Sequence, residues 1–150
     1  MLAVLGRKER SGLLEFLEVR FGIGDIFSNH EFYSGRKGRV FLGPRNIVAE
    51  NFLTAGFEIA RLGKKIKLSS SFAQLFGRHA AKNRLSLTKE KAVKYMNGYP
   101  LVLEGSEAEN CENGLVMVFY KDLALGCALL HDNEAKNMLP KAKRAPIKFI

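Results

Sequence analysis

The chain has 150 residues, of which 47% are apolar and 26% charged, so it can fold as one ordinary domain or two small ones around a buried core. No apolar run approaches the ~20 residues that a membrane-spanning helix needs, and we therefore expect no membrane partner. The formal net charge of +9 favours binding to polyanions such as nucleic acids. A basic protein that is merely soluble is the alternative reading of that charge.

Two features of the sequence favour a cytoplasmic protein. The apolar start at residues 1–6 precedes the basic residues Arg7, Lys8 and Arg10, whereas a secretory signal has the opposite order. Cys111 and Cys127 stand far apart and lack the paired spacing of a zinc site. We expect both to be free thiols in a reducing compartment.

The first half of the chain combines helical and strand patterns. Leucine and phenylalanine alternate with charges over residues 10–21, which predicts an amphipathic helix with Ser11 as its N-cap. Strands are predicted over residues 25–33 and 39–42, joined by a turn. The spacing of apolar residues over 46–61 predicts a second helix.

The middle of the chain predicts shorter elements. A short strand is expected at residues 66–68, followed by a short helix over 72–76 that the serines at 69–71 could cap. A further strand is predicted over 83–87. Thr88 then opens a helix that continues to Met96.

The last third of the chain is β-rich. Short apolar runs alternate there with turns rich in Gly, Asn, Asp and Glu, a pattern typical of a small all-β unit. The runs cover residues 101–103, 115–120, 123–130 and 147–150. A tight hairpin is predicted at Lys121 and Asp122. The fold class is therefore α+β, with an α/β domain over residues 1–80 and a β-rich domain over 81–150.

The charges are segregated along the sequence. Between residues 61 and 94 there are ten basic residues and a single acid, Glu90. The ten are Arg61, Lys64, Lys65, Lys67, Arg78, Lys82, Arg84, Lys89, Lys91 and Lys94. A second basic run comprises Lys136, Lys141, Lys143, Arg144 and Lys148, whereas residues 104–112 form an acidic loop. This pattern favours a phosphate-binding face opposite an acidic one, and chance clustering on a solvated surface is the alternative.

The sequence predicts no catalytic, metal or cofactor site. His30, His79 and His131 each stand alone, without the spacing of metal ligands. The glycines at 22 and 24 lack the third glycine of a dinucleotide fingerprint, and the acidic loop lacks the ordered spacing of a calcium loop. We therefore expect no cofactor, no binding of S-adenosylmethionine and no enzymatic activity.

Several C-terminal motifs occur together in a familiar order. A helix ends in Tyr-x-x-Gly at Tyr95 and Gly98, and a Val-x-Val-x-Tyr strand follows at residues 116–120. A Leu-Gly turn at 125–126 and a Lys-Asn-x-x-Pro-Lys segment at 136–141 complete the series. This arrangement resembles a PUA domain, in particular the one at the C-terminus of Sun-family RNA cytosine-5 methyltransferases.

The resemblance extends upstream. Residues 20–23, 38–42 and 56–62 resemble the pre-PUA region of the same proteins, and Nip-seven-like ribosome-biogenesis factors share a similar two-part plan. The methyltransferase domain is not among these 150 residues, and neither cysteine matches the catalytic cysteines of that family. The resemblance therefore implies a pre-PUA α/β domain, a PUA-type β-barrel, and RNA binding without methyl transfer.

The resemblance also implies where RNA would bind. The expected surfaces are the helix at residues 89–95, the loop at 97–100 and the last strand region at 141–148. The predicted RNA-binding residues are Arg78, Lys82, Arg84, Lys89, Lys91, Lys94, Tyr95, Lys136, Lys141, Lys143, Arg144 and Lys148. Phosphate contacts would supply affinity, and RNA shape much of the selectivity.

Three functions remain open from the sequence. The first is a stand-alone module that binds structured rRNA or tRNA in RNA modification or ribosome biogenesis, with a pre-ribosomal particle as a candidate partner. The second is an accessory subunit that delivers RNA to a separately encoded RNA-modifying enzyme such as a methyltransferase. The third is an enzyme with an unrecognised site.

Overall fold

The computed structural model describes residues 3–45 and 56–144, which form two five-stranded sheets and three α-helices. The first sheet is antiparallel and follows sequence order: β1 (Ala3–Val4), β2 (His30–Ser34), β3 (Arg39–Pro44), β4 (Phe57–Arg61) and β5 (Lys67–Leu68). Helix α1 (Arg7–Phe21) connects β1 to β2, and α2 (Ser70–Phe76) follows β5. None of the helices described is long and apolar enough to cross a bilayer.

The second sheet has the order β6-β8-β9-β10-β7 and curls into a half-barrel. Its strands are β6 (Arg84–Ser86), β7 (Leu101–Val102), β8 (Gly114–Tyr120), β9 (Leu123–His131) and β10 (Glu134–Asn137). Strand β6 pairs parallel with β8, and α3 (Lys89–Met96) connects β6 to β7. The α+β fold class is thus confirmed. Lys121 adopts φ 53° in the tight β8–β9 turn, as that kind of hairpin requires.

Helix α1 begins earlier than its sequence pattern predicts. Its N-cap is Gly6 rather than Ser11, and the Gly6 carbonyl accepts a hydrogen bond from the Arg10 amide at 2.9 Å. The charged residues before Ser11 are good helix formers, so they extend the helix without contributing to its apolar face. Gly22 closes the helix in the left-handed conformation, with φ 68°.

The helix predicted over residues 46–61 is wrong at its C-terminal end. Residues 46–55 lie outside the described part of the chain, and Phe57–Arg61 is strand β4, paired with β3 and β5. Gly56 precedes the strand with φ 81°, and a Cβ there would lie 1.8 Å from the Leu42 carbonyl oxygen. Only glycine fits this close approach, and strand pairing overrides the helical spacing of the apolar residues.

Three further differences concern strands. Strand β2 begins at His30 rather than at residue 25, because the Phe27 amide donates to the Asp25 carboxylate at 3.0 Å and forms a turn instead. Strands β1 and β10 were not predicted. Both carry few buried side chains and exist through pairing with their neighbours, which a local pattern does not reveal. The predicted strand at 147–150 lies outside the described residues.

Strand β8 connects the two hydrophobic cores. Leu115, Met117 and Phe119 pack into a core shared with α1 and the first sheet. Val116 and Val118 point the other way, into a second core with Tyr95 of α3. The alternation follows the two-residue period of a strand buried on both faces. The domain boundary between residues 80 and 81 stays a prediction. The first core contains residues from both sides of that boundary.

The thiol pKa values predict a distinct pH response. Burial raises the pKa of Cys127 to about 12 and also raises the pKa of the half-buried Cys111. A raised pKa keeps the folded thiol protonated, so its stabilising contribution is complete below the unfolded pKa of ~8.5 and declines above it. We expect the free energy of unfolding to fall by about 2 kcal/mol between about pH 8 and pH 10.

Urea unfolding at the two pH values measures this loss, and the Cys127→Ala variant should show a smaller one. A thiol-reactive dye at about pH 8 should label Cys111 in the native protein and Cys127 only after unfolding. Equal labelling rates for the two thiols in the native state would contradict the burial of Cys127.

Candidate nucleic-acid interface

Helix α3 presents lysines to solvent and packs its other face on the second core. Thr88 caps it by accepting a hydrogen bond from the Lys91 amide at 3.3 Å, as predicted. Lys89 and Lys94 are exposed. Lys94 has a single weak ion pair, at 3.8 Å to Glu90, and both side chains are largely solvated. Both lysines are therefore available to a polyanion.

Tyr95 does not belong to the binding surface. It is fully buried, and its hydroxyl donates to the Cys127 carbonyl at 2.7 Å. Burial raises the pKa of this phenol well above its usual range. A Cβ at Gly126 would lie 2.4 Å from the Tyr95 hydroxyl oxygen, so the ring packs directly on the β9 backbone. The prediction of an RNA contact therefore does not hold, and Tyr95 instead anchors α3 to the sheet.

The exposed aromatic residue of this region is Tyr99, in the loop that follows α3. It is 60% exposed, and its amide donates to the Lys94 carbonyl at 3.0 Å. Asn137 fixes the loop, because its side-chain amide donates to the carbonyls of Tyr95 at 2.8 Å and Tyr99 at 3.0 Å. Tyr99 was not among the predicted RNA-binding residues, although the loop at residues 97–100 that contains it was one of the expected surfaces. Its position between Gly98 and Pro100 is the sequence signal, because an aromatic side chain in a loop is hard to bury.

Arg144 lies against the same loop. Its Nε donates to the Leu139 carbonyl at 3.0 Å, and a Cβ added at Gly98 would lie 2.6 Å from both Cδ and Nε of Arg144. Gly98 has φ 89°, so both its conformation and the arginine above it require glycine. The guanidinium is thereby held beside the Tyr99 loop.

These residues form one continuous surface. The loop residue Pro100 and exposed Lys136 of β10 line a shared groove of about 350 Å³. We define the Tyr99 surface as the exposed residues that this geometry brings together: Lys94, Tyr99, Pro100, Lys136 and Arg144. Aromatic stacking and cationic contacts on one rigid platform are what unpaired nucleotides and phosphates require.

A second predicted group lies beside it on the C-terminal turn. Lys141–Lys143 forms one 3-10 turn, and the Lys143 ammonium donates to the Ser71 hydroxyl at 2.7 Å. That contact docks the turn on α2. Lys143 also lines a cleft of about 340 Å³ together with Arg61 and Lys67 of the first sheet. Basic residues distant in sequence thus meet at the junction of the two sheets.

Two predicted contacts are engaged within the protein. The Arg84 guanidinium lies 4.0 Å from the centre of the buried Phe119 ring and donates to the Ala80 carbonyl at 2.8 Å. Lys91 forms an ion pair with Glu107, which holds the pKa of that carboxyl below its usual value. The acidic loop is therefore attached to α3 rather than opposite it. Both basic residues have structural roles.

The remaining predicted residues are dispersed. Arg78 is exposed on the turn after α2, and the Lys82 ammonium donates to the Val19 carbonyl at 2.9 Å. Lys148 lies outside the described residues. Among residues 3–45 and 56–144, no three His, Cys, Asp or Glu side chains come together as a metal site.

Comparison with known families identifies the C-terminal part of the chain. Residues 82–145 match a family model described as the PUA domain of methyltransferase RsmF. This match confirms the predicted PUA domain and its resemblance to the Sun-family C-terminal region. The first sheet and its helices lie outside the matched residues. No curated protein is significantly similar to the chain.

Proposed function

Because residues 82–145 form a PUA domain, an RNA-binding module, we propose that this chain binds structured rRNA or tRNA through the Tyr99 surface. The observation that carries the proposal is the exposed Tyr99 ring on a loop fixed by Asn137 and flanked by Arg144. Because the loop is already fixed before binding, little conformational entropy is lost when RNA binds. The free energy of stacking on Tyr99 is therefore not spent on ordering the loop.

Each member of the Tyr99 surface has a distinct role in this proposal. The Tyr99 ring stacks on an unpaired base at the end of a stem or in a loop. Any of the four bases can stack in this way, so the contact does not select for sequence. The planar guanidinium of Arg144 can donate two hydrogen bonds to one phosphate, whereas Lys94 and Lys136 act as point charges. Phosphate contacts supply affinity, and the position of the unpaired base beside the stem supplies selectivity for shape.

The proposed cellular role is RNA modification or ribosome biogenesis in the cytoplasm. A second candidate is an accessory subunit that delivers RNA to a separately encoded modifying enzyme. The family description supports this candidate, because it assigns the matched PUA domain to a methyltransferase. Affinity purification of the tagged chain distinguishes the two: a stoichiometric modifying enzyme supports the accessory role, and RNA without such an enzyme supports the stand-alone module.

The test of RNA binding is a salt titration. With about five phosphates neutralised, log K for a fluorescent RNA hairpin with an unpaired 3′ end should fall against log salt with a slope of about −4. Tyr99→Ala removes stacking but no charge. It should therefore weaken binding by about 1–2 kcal/mol while leaving the slope unchanged.

Tyr99→Phe is the matched control, since it keeps the ring and should bind like the wild type. Fluorescence anisotropy at several salt concentrations gives both quantities. A flat salt response would contradict the phosphate contacts, and an unchanged affinity in Tyr99→Ala would remove the ring from the interface.

A further inference from the structure

Two turns at one end of the first sheet bring together basic residues that are distant in sequence. The β2–β3 turn contacts the β4–β5 turn, because the Leu62 amide donates to the Gly38 carbonyl at 2.7 Å. A Cβ at Gly38 would lie 2.0 Å from the Leu62 carbonyl oxygen, so the turns touch through their backbones. We define the basic corner as the exposed cations on these turns: Arg36, Lys37, Arg39, Arg61, Lys64, Lys65 and Lys67.

The basic corner has little internal charge compensation. Arg39 pairs directly with Arg61 across β3 and β4, an arrangement of like charges that disfavours the folded sheet. Among the described residues, Glu58 is the one carboxylate that forms ion pairs with these two arginines. Its Oε1 lies 3.3 Å from Nε of Arg39 and 3.9 Å from an Nη of Arg61, and all three side chains are substantially solvated. An external anion would relieve the repulsion that remains.

The lysines of the corner surround a hollow of about 500 Å³. It is lined by Lys37, Arg61, Leu62, Gly63, Lys64, Lys65 and Lys67. Within the described residues, Lys37, Lys64 and Lys65 make no ion pair. Cations converging on a concave surface raise the local potential above that of a flat patch with the same charge.

The corner is continuous with the PUA domain. Arg61 and Lys67 line both the hollow and the cleft that contains Lys143. That lysine belongs to the turn immediately before Arg144, a member of the Tyr99 surface. Cations therefore extend from the first sheet, across the cleft, to the proposed RNA site.

We propose that the basic corner is a second RNA site, which binds the phosphate backbone of a stem whose end lies on the Tyr99 surface. This inference rests on the proposed function, and it concerns residues outside the PUA match. The chemistry favours RNA over a lipid surface, because no large exposed apolar side chain of the described residues lies on these two turns. Backbone contacts of this kind recognise shape and length rather than sequence.

The experiment measures anisotropy with two fluorescent RNA hairpins, each with an unpaired 3′ end, whose stems have about 8 and about 24 base pairs. The corner variant combines Lys37→Gln, Lys64→Gln and Lys65→Gln. The Tyr99-surface variant combines Lys94→Gln, Lys136→Gln and Arg144→Gln. A charge-matched control combines Arg7→Gln, Lys8→Gln and Lys121→Gln, which lie at the start of α1 and in the β8–β9 turn.

We expect the corner variant to bind the long hairpin about tenfold more weakly, with a salt slope shallower by about 2, and to bind the short hairpin like the wild type. The Tyr99-surface variant should lose affinity for both hairpins, and the control should change neither. The second site is supported if the corner variant loses affinity for the long hairpin and the control variant does not. Equal losses in corner variant and control, or no loss in the corner variant, overturn it.

The outcomes separate this inference from the proposed function. If the Tyr99-surface variant binds both hairpins normally while the corner variant fails on the long one, the corner stands and the Tyr99 site fails. If the wild type binds neither hairpin, both fail. If corner substitution leaves RNA binding intact but abolishes binding to anionic phospholipid vesicles, the corner is a lipid site and the RNA inference is overturned.

Discussion

Simultaneous replacement of Lys141, Lys143 and Arg144 by alanine is expected to weaken RNA binding by about 2–4 kcal/mol, at roughly one kcal/mol for each phosphate contact. Lys141 and Arg144 are exposed, and Arg144 is positioned by its bond to the Leu139 carbonyl. Their ordered turn presents the charges without the entropy cost of fixing a mobile tail.

The same variant should fold nearly as well as the wild type. Its main structural losses are two partly exposed hydrogen bonds, from Lys143 to the Ser71 hydroxyl and from Arg144 to the Leu139 carbonyl, each worth about 1 kcal/mol. Calorimetry or circular dichroism should therefore show only a small fall in melting temperature. Alanine at Arg7, Lys8 and Lys121 makes the same change in net charge and should leave RNA affinity nearly intact. Equal affinity in a folded triple variant would place the RNA elsewhere, with the basic corner as the next site.

Local signals in the sequence were sufficient for much of the second sheet. The apolar runs predicted β8 and β9, and Thr88 marked the start of α3, because these elements are specified by their own residues. Strand β4 was missed because its residues carry a helical spacing of apolar side chains, and only pairing with β3 and β5 makes them a strand.

The proposed binding residues also divide into those that local sequence signals indicate and those that only long-range contacts bring together. Positive charge in the C-terminal segment was visible in the sequence, and the structure places exposed Lys141 and Arg144 there. Tyr95 was predicted to contact RNA because the resemblance implies binding along the helix at residues 89–95, but the helical period points it into the core. The basic corner could not be predicted, since residues 36–39 and 61–67 meet only through the register of the sheet.

The junction between the two sheets depends on Asn83, a side chain that is 1% exposed. Its amide donates to the Arg20 carbonyl at 2.6 Å, and its side-chain oxygen accepts from the Glu112 amide at 2.8 Å. Its own carbonyl accepts from the Met117 amide at 3.0 Å. One residue thus joins the end of α1, the acidic loop and β8, the strand that contributes to both cores.

Asn83→Ala should lower the free energy of unfolding by about 3 kcal/mol. The change leaves two backbone groups without their partner, at about 1 kcal/mol or more each, and puts alanine in a left-handed conformation that asparagine tolerates better. The native φ is 54°. The corresponding fall in melting temperature is about 6–12 °C for a chain of this size, measurable by thermal unfolding.

Two further variants divide this loss into its causes. Asn83→Gly removes the same hydrogen bonds but accepts the left-handed backbone, so it should be less destabilising than Asn83→Ala by about 1 kcal/mol. Asn133→Ala, at an exposed position in the β9–β10 turn, should change stability by less than about 0.5 kcal/mol. If Asn83→Ala were as stable as Asn133→Ala, the buried amide would not hold the sheets together. The relative position of the two sheets, on which the continuous basic surface from the corner to Arg144 depends, would then be fixed by the core that Leu115, Met117 and Phe119 share with the first sheet.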